Sequence, residues 1–111
     1  MCIRDSCNTI SGTFSNSSVI GGGNSNTISG YNSQNSTISG GLSNKISGDN
    51  PYWSTIGGGR QNTISGYYSC QSTIGGGSNN IISGTNSIQS TISGGYYNTI
   101  DNAPYLSLIH I

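Results

Sequence analysis

The stretch "NTISGYNSQNSTISGG", residues 26–41, contains almost the same phrase twice, and each phrase places one isoleucine among Ser, Thr, Asn and Gly. This spacing runs along the whole chain, in steps that alternate between 10 and 8 residues. The isoleucines that keep it are Ile10, Ile20, Ile28, Ile38, Ile46, Ile56, Ile64, Ile74, Ile82, Ile92 and Ile100. The repeat unit is therefore 18 residues long, and a chain without a fixed structure has no reason to keep such spacing.

Each column of the repeat, meaning the residues that stand 18 apart, has its own chemistry. Asn stands two residues before the first isoleucine of a unit, and Ser stands two residues before the second. The members that we expect to form hydrogen-bonded ladders are Asn26, Asn44, Asn62, Asn80, Ser36, Ser54, Ser72 and Ser90. Gly stands two residues after the first isoleucine, as at Gly30, and Asn102 replaces it in the last unit, which predicts a left-handed backbone. A Gly pair after the second isoleucine, as at 40–41, predicts a sharp corner.

The residues between these corners have the pattern of short strands. In Asn-Thr-Ile-Ser-Gly the isoleucine points to one side and its neighbours to the other, while dense Gly and β-branched residues argue against a helix. Two strands and two turns per 18 residues predict an all-β parallel β-solenoid (β-roll) of about five and a half coils, with isoleucines meeting across a thin core. The alternatives are a three-sided left-handed hexapeptide helix, which the alternating steps disfavour, and a disordered low-complexity tract.

The two ends of the chain differ from the repeat. One short DNA sequence can account for both ends. Read on one strand it encodes residues 106–111. Its reverse complement, read from the second base, encodes Met-Cys-Ile-Arg-Asp followed by Ser or Arg, which matches residues 1–6. Both hexapeptides resemble the translated mosaic-end adapter of a sequencing-library transposase, so we expect them to be adapter-derived. The remaining fragment, 7–105, would be cut at both ends. Its units are 8–25, 26–43, 44–61, 62–79 and 80–97, with a partial unit 98–105.

The charge of residues 7–105 is low and balanced. The charged side chains are Lys45, Arg60, Asp49 and Asp101. So little charge excludes an electrostatic surface for nucleic acid and predicts no direct membrane contact. This part of the chain has no His or Glu, and its two Asp residues stand in different columns, so no acid–base pair and no recurring metal ligand is expected. We therefore expect a non-enzymatic protein without catalytic residues, metal or cofactor.

Two cysteines, Cys7 and Cys70, lie in the expected solenoid. They would stand three coils apart, about 14 Å at the usual spacing of neighbouring strands, which exceeds the roughly 7 Å reach between the Cα atoms of a disulfide. We therefore expect both thiols to be unpaired within one chain.

The repeat resembles a known class of surface proteins. The rows STIGGG at 54–59 and NTISG at 62–66 are similar to YadA-like head repeats of trimeric autotransporter adhesins and to repeats of some phage tail-fibre proteins, over nearly all of 8–102. The resemblance implies a left-handed parallel β-roll that forms homotrimers outside the cell, on a bacterial surface or a virion. This chain has a longer unit, with its extra residues in turns such as 31–35 and 67–71, so handedness and trimer geometry are not carried over.

Aromatic side chains are concentrated in the turn that follows the first strand of a unit. We expect them to line one edge of the stack and to contact a partner subunit, a host-surface protein or a glycan, because aromatic faces beside Asn and Ser suit sugars. These candidates are Phe14, Tyr31, Tyr52, Trp53, Tyr67 and Tyr68. In turn 49–53, Pro51 replaces a recurring Ser, which makes Tyr52 and Trp53 the first choice for a contact. The alternative is that the rings have no binding role and only cover partly solvated backbone at the edge of the stack.

Outward threonines form a second regular feature. They are Thr9, Thr27, Thr63 and Thr99 on one face, and Thr37, Thr55, Thr73 and Thr91 on the other. Regular Thr arrays are typical of ice-binding solenoids, although Lys45 and Ile81 interrupt the first face and Thr favours any solvated strand. The sequence therefore predicts a structural and adhesive segment of a surface adhesin head or a phage tail fibre, with ice binding as the alternative.

Overall fold

The computed structural model describes residues 7–101 and the backbone of residues 108–110, and the regular elements in these residues are short β-strands. Each repeat unit contributes one strand around each of its two isoleucines. In chain order the strands are β1 Thr9–Ile10, β2 Val19–Ile20, β3 Thr27–Ile28, β4 Thr37–Ile38, β5 Lys45–Ile46, β6 Thr55–Ile56, β7 Thr63–Ile64, β8 Thr73–Ile74, β9 Ile81–Ser83, β10 Thr91–Gly94, β11 Thr99–Asp101 and β12 Leu108–His110.

The strands form two parallel six-stranded sheets, which we call the odd sheet and the even sheet after their strand numbers. Their orders are β1-β3-β5-β7-β9-β11 and β12-β10-β8-β6-β4-β2. Up to β11, each strand pairs with its equivalent one unit away at a separation of 18 residues, as when Ile28 pairs with Ile46 and Ile38 with Ile56. The predicted β-solenoid with two strands per 18-residue coil is confirmed. The core is built from two faces, not three.

The last strand, β12, belongs to the segment that the sequence assigns to an adapter. It pairs with β10 as Thr91 with Leu108 and Ile92 with Ile109, which is a separation of 17 residues. The 18-residue register therefore ends before this segment. The rest of 106–111, and all of 1–6, lie outside the described residues.

Isoleucines from the two sheets meet in one narrow core. Those with 0% exposure are Ile28, Ile38, Ile46, Ile56, Ile64, Ile74, Ile82 and Ile92. Ile100 is also buried, and Ile20 is partly buried against the same cluster. Ile10 has the same place in the repeat, but it is 43% exposed, because β1 is an edge strand with a neighbour on one side only. The expectation that Ile10 belongs to the buried core was wrong.

The Asn column forms a ladder along the stack. The Oδ1 of Asn62 accepts the backbone N–H of Asn80 at 3.0 Å, and its Nδ2 donates to the carbonyls of Gly58 at 2.9 Å and Gly77 at 3.0 Å. Equivalent bonds are made by Asn26, Asn44 and Asn80, and all four side chains are fully buried. An amide suits this column because it accepts and donates at the same time.

The Ser column forms a second ladder beside the even sheet. The hydroxyl of Ser36 donates to the carbonyl of Pro51 at 2.7 Å and accepts the N–H of Ser54 at 3.3 Å. Ser54 and Ser72 donate in the same way to the next coil. Ser36, Ser54, Ser72 and Ser90 are all fully buried. In the part of the chain that the structure describes, every buried side-chain nitrogen and oxygen has a hydrogen-bond partner.

Left-handed backbone recurs in every coil. Gly30 has a φ of 99°, as the Gly-to-Asn exchange in its column predicts, and Gly41 at the corner has a φ of 94°. A Cβ on Gly41 would stand 2.2 Å from the carbonyl oxygen of Gly59, so the coils stack too closely for any side chain there. Three further columns are left-handed without glycine, which the sequence did not indicate. They are Phe14, Asn32, Asn50, Tyr68 and Asn86; Ser17, Asn35, Trp53, Gln71 and Gln89; and Ser25, Ser43, Gln61, Asn79 and Tyr97.

The two cysteines differ in state. Cys70 is free and buried, as expected. Cys7 is disulfide-bonded, so the expectation that it is unpaired was wrong. The separation of the coils excludes a bond between Cys7 and Cys70, but not a bond from Cys7 to another cysteine.

Candidate functional site on the wide turns

The wide turns connect the odd sheet to the even sheet along one edge of the stack. They comprise residues 13–17, 31–35, 49–53, 67–71 and 85–89. The six aromatic residues singled out from the sequence lie here as three edge-to-face pairs. The ring centroids are 5.7 Å apart in Phe14–Tyr31, 5.4 Å in Tyr52–Trp53 and 4.3 Å in Tyr67–Tyr68. Edge-to-face packing is a favoured geometry for aromatic rings and orients each pair.

The three pairs do not form one continuous aromatic surface. Tyr31 and Tyr67 belong to one column, but Asp49 stands between them and is bridged to both through the backbone. Among the described residues, no ring contact joins one pair to the next. Five of the six rings are exposed, and Tyr52 is half-buried. Each pair is therefore a separate candidate contact.

The pair Tyr52–Trp53 is fixed to the preceding coil through its backbone and is partly exposed to solvent. A hydrogen bond with the buried Cys70 thiol raises the pKa of the Tyr52 hydroxyl, so this phenol stays neutral. Trp53 has a φ of 57° and is 54% exposed, and its backbone N–H donates to the carbonyl of Gln34 at 2.9 Å. The backbone therefore fixes the position of the Trp53 Cα, while more than half of the residue is exposed.

An open depression of about 350 Å³ lies beside this pair, between the second unit (26–43) and the third (44–61). Its lining residues are Asn32, Gln34, Asn35, Tyr52 and Trp53. The second unit supplies three amides and the third supplies two aromatic rings. The depression therefore combines hydrogen-bonding groups with an apolar face, and none of the five lining side chains is charged.

The amides of the depression are partly tied to one another. Gln34 Nε2 donates to Asn32 Oδ1 at 3.0 Å, and Asn32 Nδ2 donates to Asn50 Oδ1 at 3.0 Å. Asn35 is exposed, and its side chain makes no hydrogen bond to another described residue. The Oε1 of Gln34 likewise accepts no hydrogen bond from another described residue. Sequence reasoning missed these three amides, since Asn and Gln are common throughout the turns and nothing distinguishes them before the coils are stacked.

A fourth aromatic pair lies outside the wide turns. Tyr96 and Tyr97 follow the glycine pair 94–95, and their ring centroids are 4.3 Å apart. They are 64% and 65% exposed, more than any other large apolar side chain described. The hydrogen bond between their hydroxyls raises the pKa of Tyr96, just as the bond to Tyr68 raises the pKa of Tyr67. The Tyr-Tyr dipeptide, present at 67–68 as well, was the signal in the sequence that was overlooked.

The outward threonine columns differ between the two sheets. On the even sheet Thr37, Thr55, Thr73 and Thr91 pair in register over four consecutive strands. On the odd sheet, Lys45 and Ile81 are exposed in the equivalent column and interrupt it. The regular Thr surface is therefore confined to the even sheet.

Other kinds of site are not seen among the described residues. No group of three or more His, Cys, Asp or Glu side chains lies close enough to hold a metal ion in residues 7–101. The same part of the chain contains no helix that is long and apolar enough to cross a membrane. The wide turns offer aromatic faces and neutral amides for non-covalent contact. Comparison of the chain with protein-family models, curated proteins and solved structures finds no match.

Proposed function

We propose that the chain is a non-enzymatic structural and adhesive segment of an extracellular surface protein, namely the head of a trimeric adhesin or a phage tail fibre. The observation that carries the proposal is the stacking of equivalent coils, in which the buried columns hardly vary while the wide turns do. Such a rod spaces a binding surface away from its anchor and presents variable side chains along one edge. Repeat proteins commonly use extended surfaces in this way.

The proposal includes a homotrimer. Each 18-residue coil buries only two isoleucines of the repeat, so the hydrophobic contribution per ordered residue is small. Side-by-side association would bury further surface and stabilise the rod. We expect sedimentation velocity of the full-length protein to show a trimer. A monomer at every concentration, with a melting temperature independent of concentration, would contradict this part of the proposal.

Deletion of whole units tests adhesion without disturbing the register. Removal of 44–61 joins equivalent positions and eliminates the Tyr52–Trp53 pair, so attachment to host cells or receptor-coated beads should fall. Removal of 78–95, which contains no aromatic residue and leaves Tyr96 and Tyr97 in place, is the matched control and should leave attachment unchanged. Equal attachment by both deletion variants and the parent would remove the aromatic edge from the proposed function.

Ice binding is a second candidate function, because the even sheet carries four in-register threonines without interruption. If this surface binds ice, Thr73→Tyr should abolish ice shaping and thermal hysteresis. Thr63→Tyr, on the interrupted odd sheet, is the control and should have little effect. A parent chain that does not shape ice at high concentration would dismiss this candidate.

A further inference from the structure

We infer that the depression formed by Asn32, Gln34, Asn35, Tyr52 and Trp53 binds a neutral carbohydrate, the size of a mono- or disaccharide. This inference deepens the proposed adhesive function, because it names the ligand class for one part of the aromatic edge. The sugar can come from a host glycoprotein or from a polysaccharide, which present the same hydroxyl groups.

Trp53 is an exposed indole in a column whose left-handed backbone is common to all coils. Its φ of 57° is costly for a bulky residue, and the same column holds Ser17, Asn35, Gln71 and Gln89 in other units. More than half of the indole is exposed, so little apolar burial offsets that cost. A strained, exposed aromatic residue where the repeat otherwise places Ser, Asn or Gln points to binding. The indole face offers a platform for the C–H face of a pyranose ring.

Three amides line the depression together with that platform. Sugar hydroxyls both donate and accept hydrogen bonds, and so does a carboxamide. The Asn35 side chain makes no hydrogen bond to another described residue, and Gln34 uses only its Nε2, which donates to Asn32. The bond from Asn32 to Asn50 holds this chain of amides in one orientation. A pair of neighbouring hydroxyl groups would therefore meet the oriented acceptor of Gln34 and the unbonded amide of Asn35.

The depression is uncharged and of modest volume. None of the five lining residues is charged. The lining has amide donors but no positive charge to compensate the desolvation of a carboxylate or phosphate, so acidic sugars are disfavoured. The volume of about 350 Å³ is at the lower end of ligand sites and fits one or two sugar rings.

The test uses Trp53 as its own reporter, because it is the only tryptophan of the chain. The chain is titrated with a panel of neutral methyl hexopyranosides and disaccharides, and with N-acetylneuraminic acid as the acidic counterpart. We expect at least one neutral sugar to shift the indole emission with saturation, and the acidic sugar to give no such shift. A panel without any saturable neutral ligand, or with only the acidic sugar binding, overturns the inference.

Matched variants then locate the site by calorimetry. Trp53→Asn introduces the residue that the second unit carries in the same column, so the fold should be retained while affinity falls about tenfold or more. Tyr97→Asn removes another exposed aromatic residue with φ near 58°, outside the depression, and should bind like the parent. Unchanged affinity in Trp53→Asn, or an equal loss in Tyr97→Asn, overturns the inference.

The result is separable from the outcome for the proposed function. A trimeric full-length protein that ignores every sugar keeps the proposed architecture and loses this site. A monomer that binds a neutral sugar through Trp53 keeps the site and loses the trimer.

Discussion

Replacement of Asn62 by Asp should make the stability of the stack strongly dependent on pH. Asn62 is fully buried, and its Nδ2 donates to the carbonyls of Gly58 and Gly77 while its Oδ1 accepts from Asn80. Aspartate has nearly the same shape, but an ionised carboxylate only accepts. Two donated hydrogen bonds are lost, and a buried negative charge is placed against two carbonyl oxygens.

The expected loss of unfolding free energy in Asn62→Asp follows from these contacts. Gly77 still has the N–H of Arg60 as a donor at 2.9 Å, whereas Gly58 loses the donor that Asn62 supplied. A buried group left unsatisfied costs about 1–3 kcal/mol, and an uncompensated buried charge costs more, which the charged bond from Asn80 offsets in part. We expect a loss of about 3 kcal/mol at pH 7, equivalent to a fall of about 12–24 °C in the melting temperature of a domain this size. At low pH the protonated acid restores one donor, and the loss should shrink to about 1 kcal/mol.

The sign of the pH dependence is fixed by the buried environment. Burial and the facing carbonyls raise the pKa of the introduced carboxyl group in the folded state above its value of about 3.9 in the unfolded chain. The variant is therefore most stable below about pH 4, and it loses stability as pH rises toward the folded pKa. Thermal melts followed by circular dichroism between pH 3 and pH 8, with the parent chain at each pH, measure this difference.

The control is Asn35→Asp, at an exposed position whose amide bonds to no other described residue. It should change stability by less than about 0.5 kcal/mol at any pH. Equal melting temperatures for the two Asp variants at pH 7, or an Asn62→Asp variant that gains stability as pH rises, would refute the ladder as a source of stability.

Three further predictions can be tested by urea denaturation. Gly41→Ala should lower the free energy of unfolding by at least about 3 kcal/mol, because the φ of Gly41 is 94° and the new Cβ would stand 2.2 Å from a carbonyl oxygen. Gly40→Ala is the control: the nearest atom to its new Cβ is 4.0 Å away, so stability should change by less than about 1 kcal/mol. Ile64→Ala should cost about 2–5 kcal/mol and Ile10→Ala clearly less, because Ile64 is fully buried and Ile10 is 43% exposed. Gln61→Asn should stabilise the chain by up to about 1 kcal/mol, because Asn tolerates its φ of 55° better; a loss of stability would contradict that reasoning.

The turns show where prediction from the sequence stopped. The left-handed backbone in the column of Gly30 could be predicted because Gly and Asn exchange there. The column of Trp53 is also left-handed, but it mixes Ser, Asn, Trp and Gln, and this mixture does not indicate a positive φ. The sequence predicted that the six aromatic residues lie in the wide turns, where the structure has them, but not that they form three separate pairs. Asp49 interrupts the column of Tyr31 and Tyr67, and ring contacts depend on side-chain rotamers that no repeat pattern encodes.

The sequence by itself determined the coil length, the two faces of the core and the buried polar columns. It could do so because parallel stacking brings residues 18 apart into contact, so the period of the chain is also the period of the structure. Only the tertiary structure decided which unlike side chains meet in the depression between Asn32 and Trp53, and which isoleucine remains exposed. Those outcomes depend on contacts between different columns of neighbouring coils and on whether a coil has a neighbour at all, and neither is repeated along the chain.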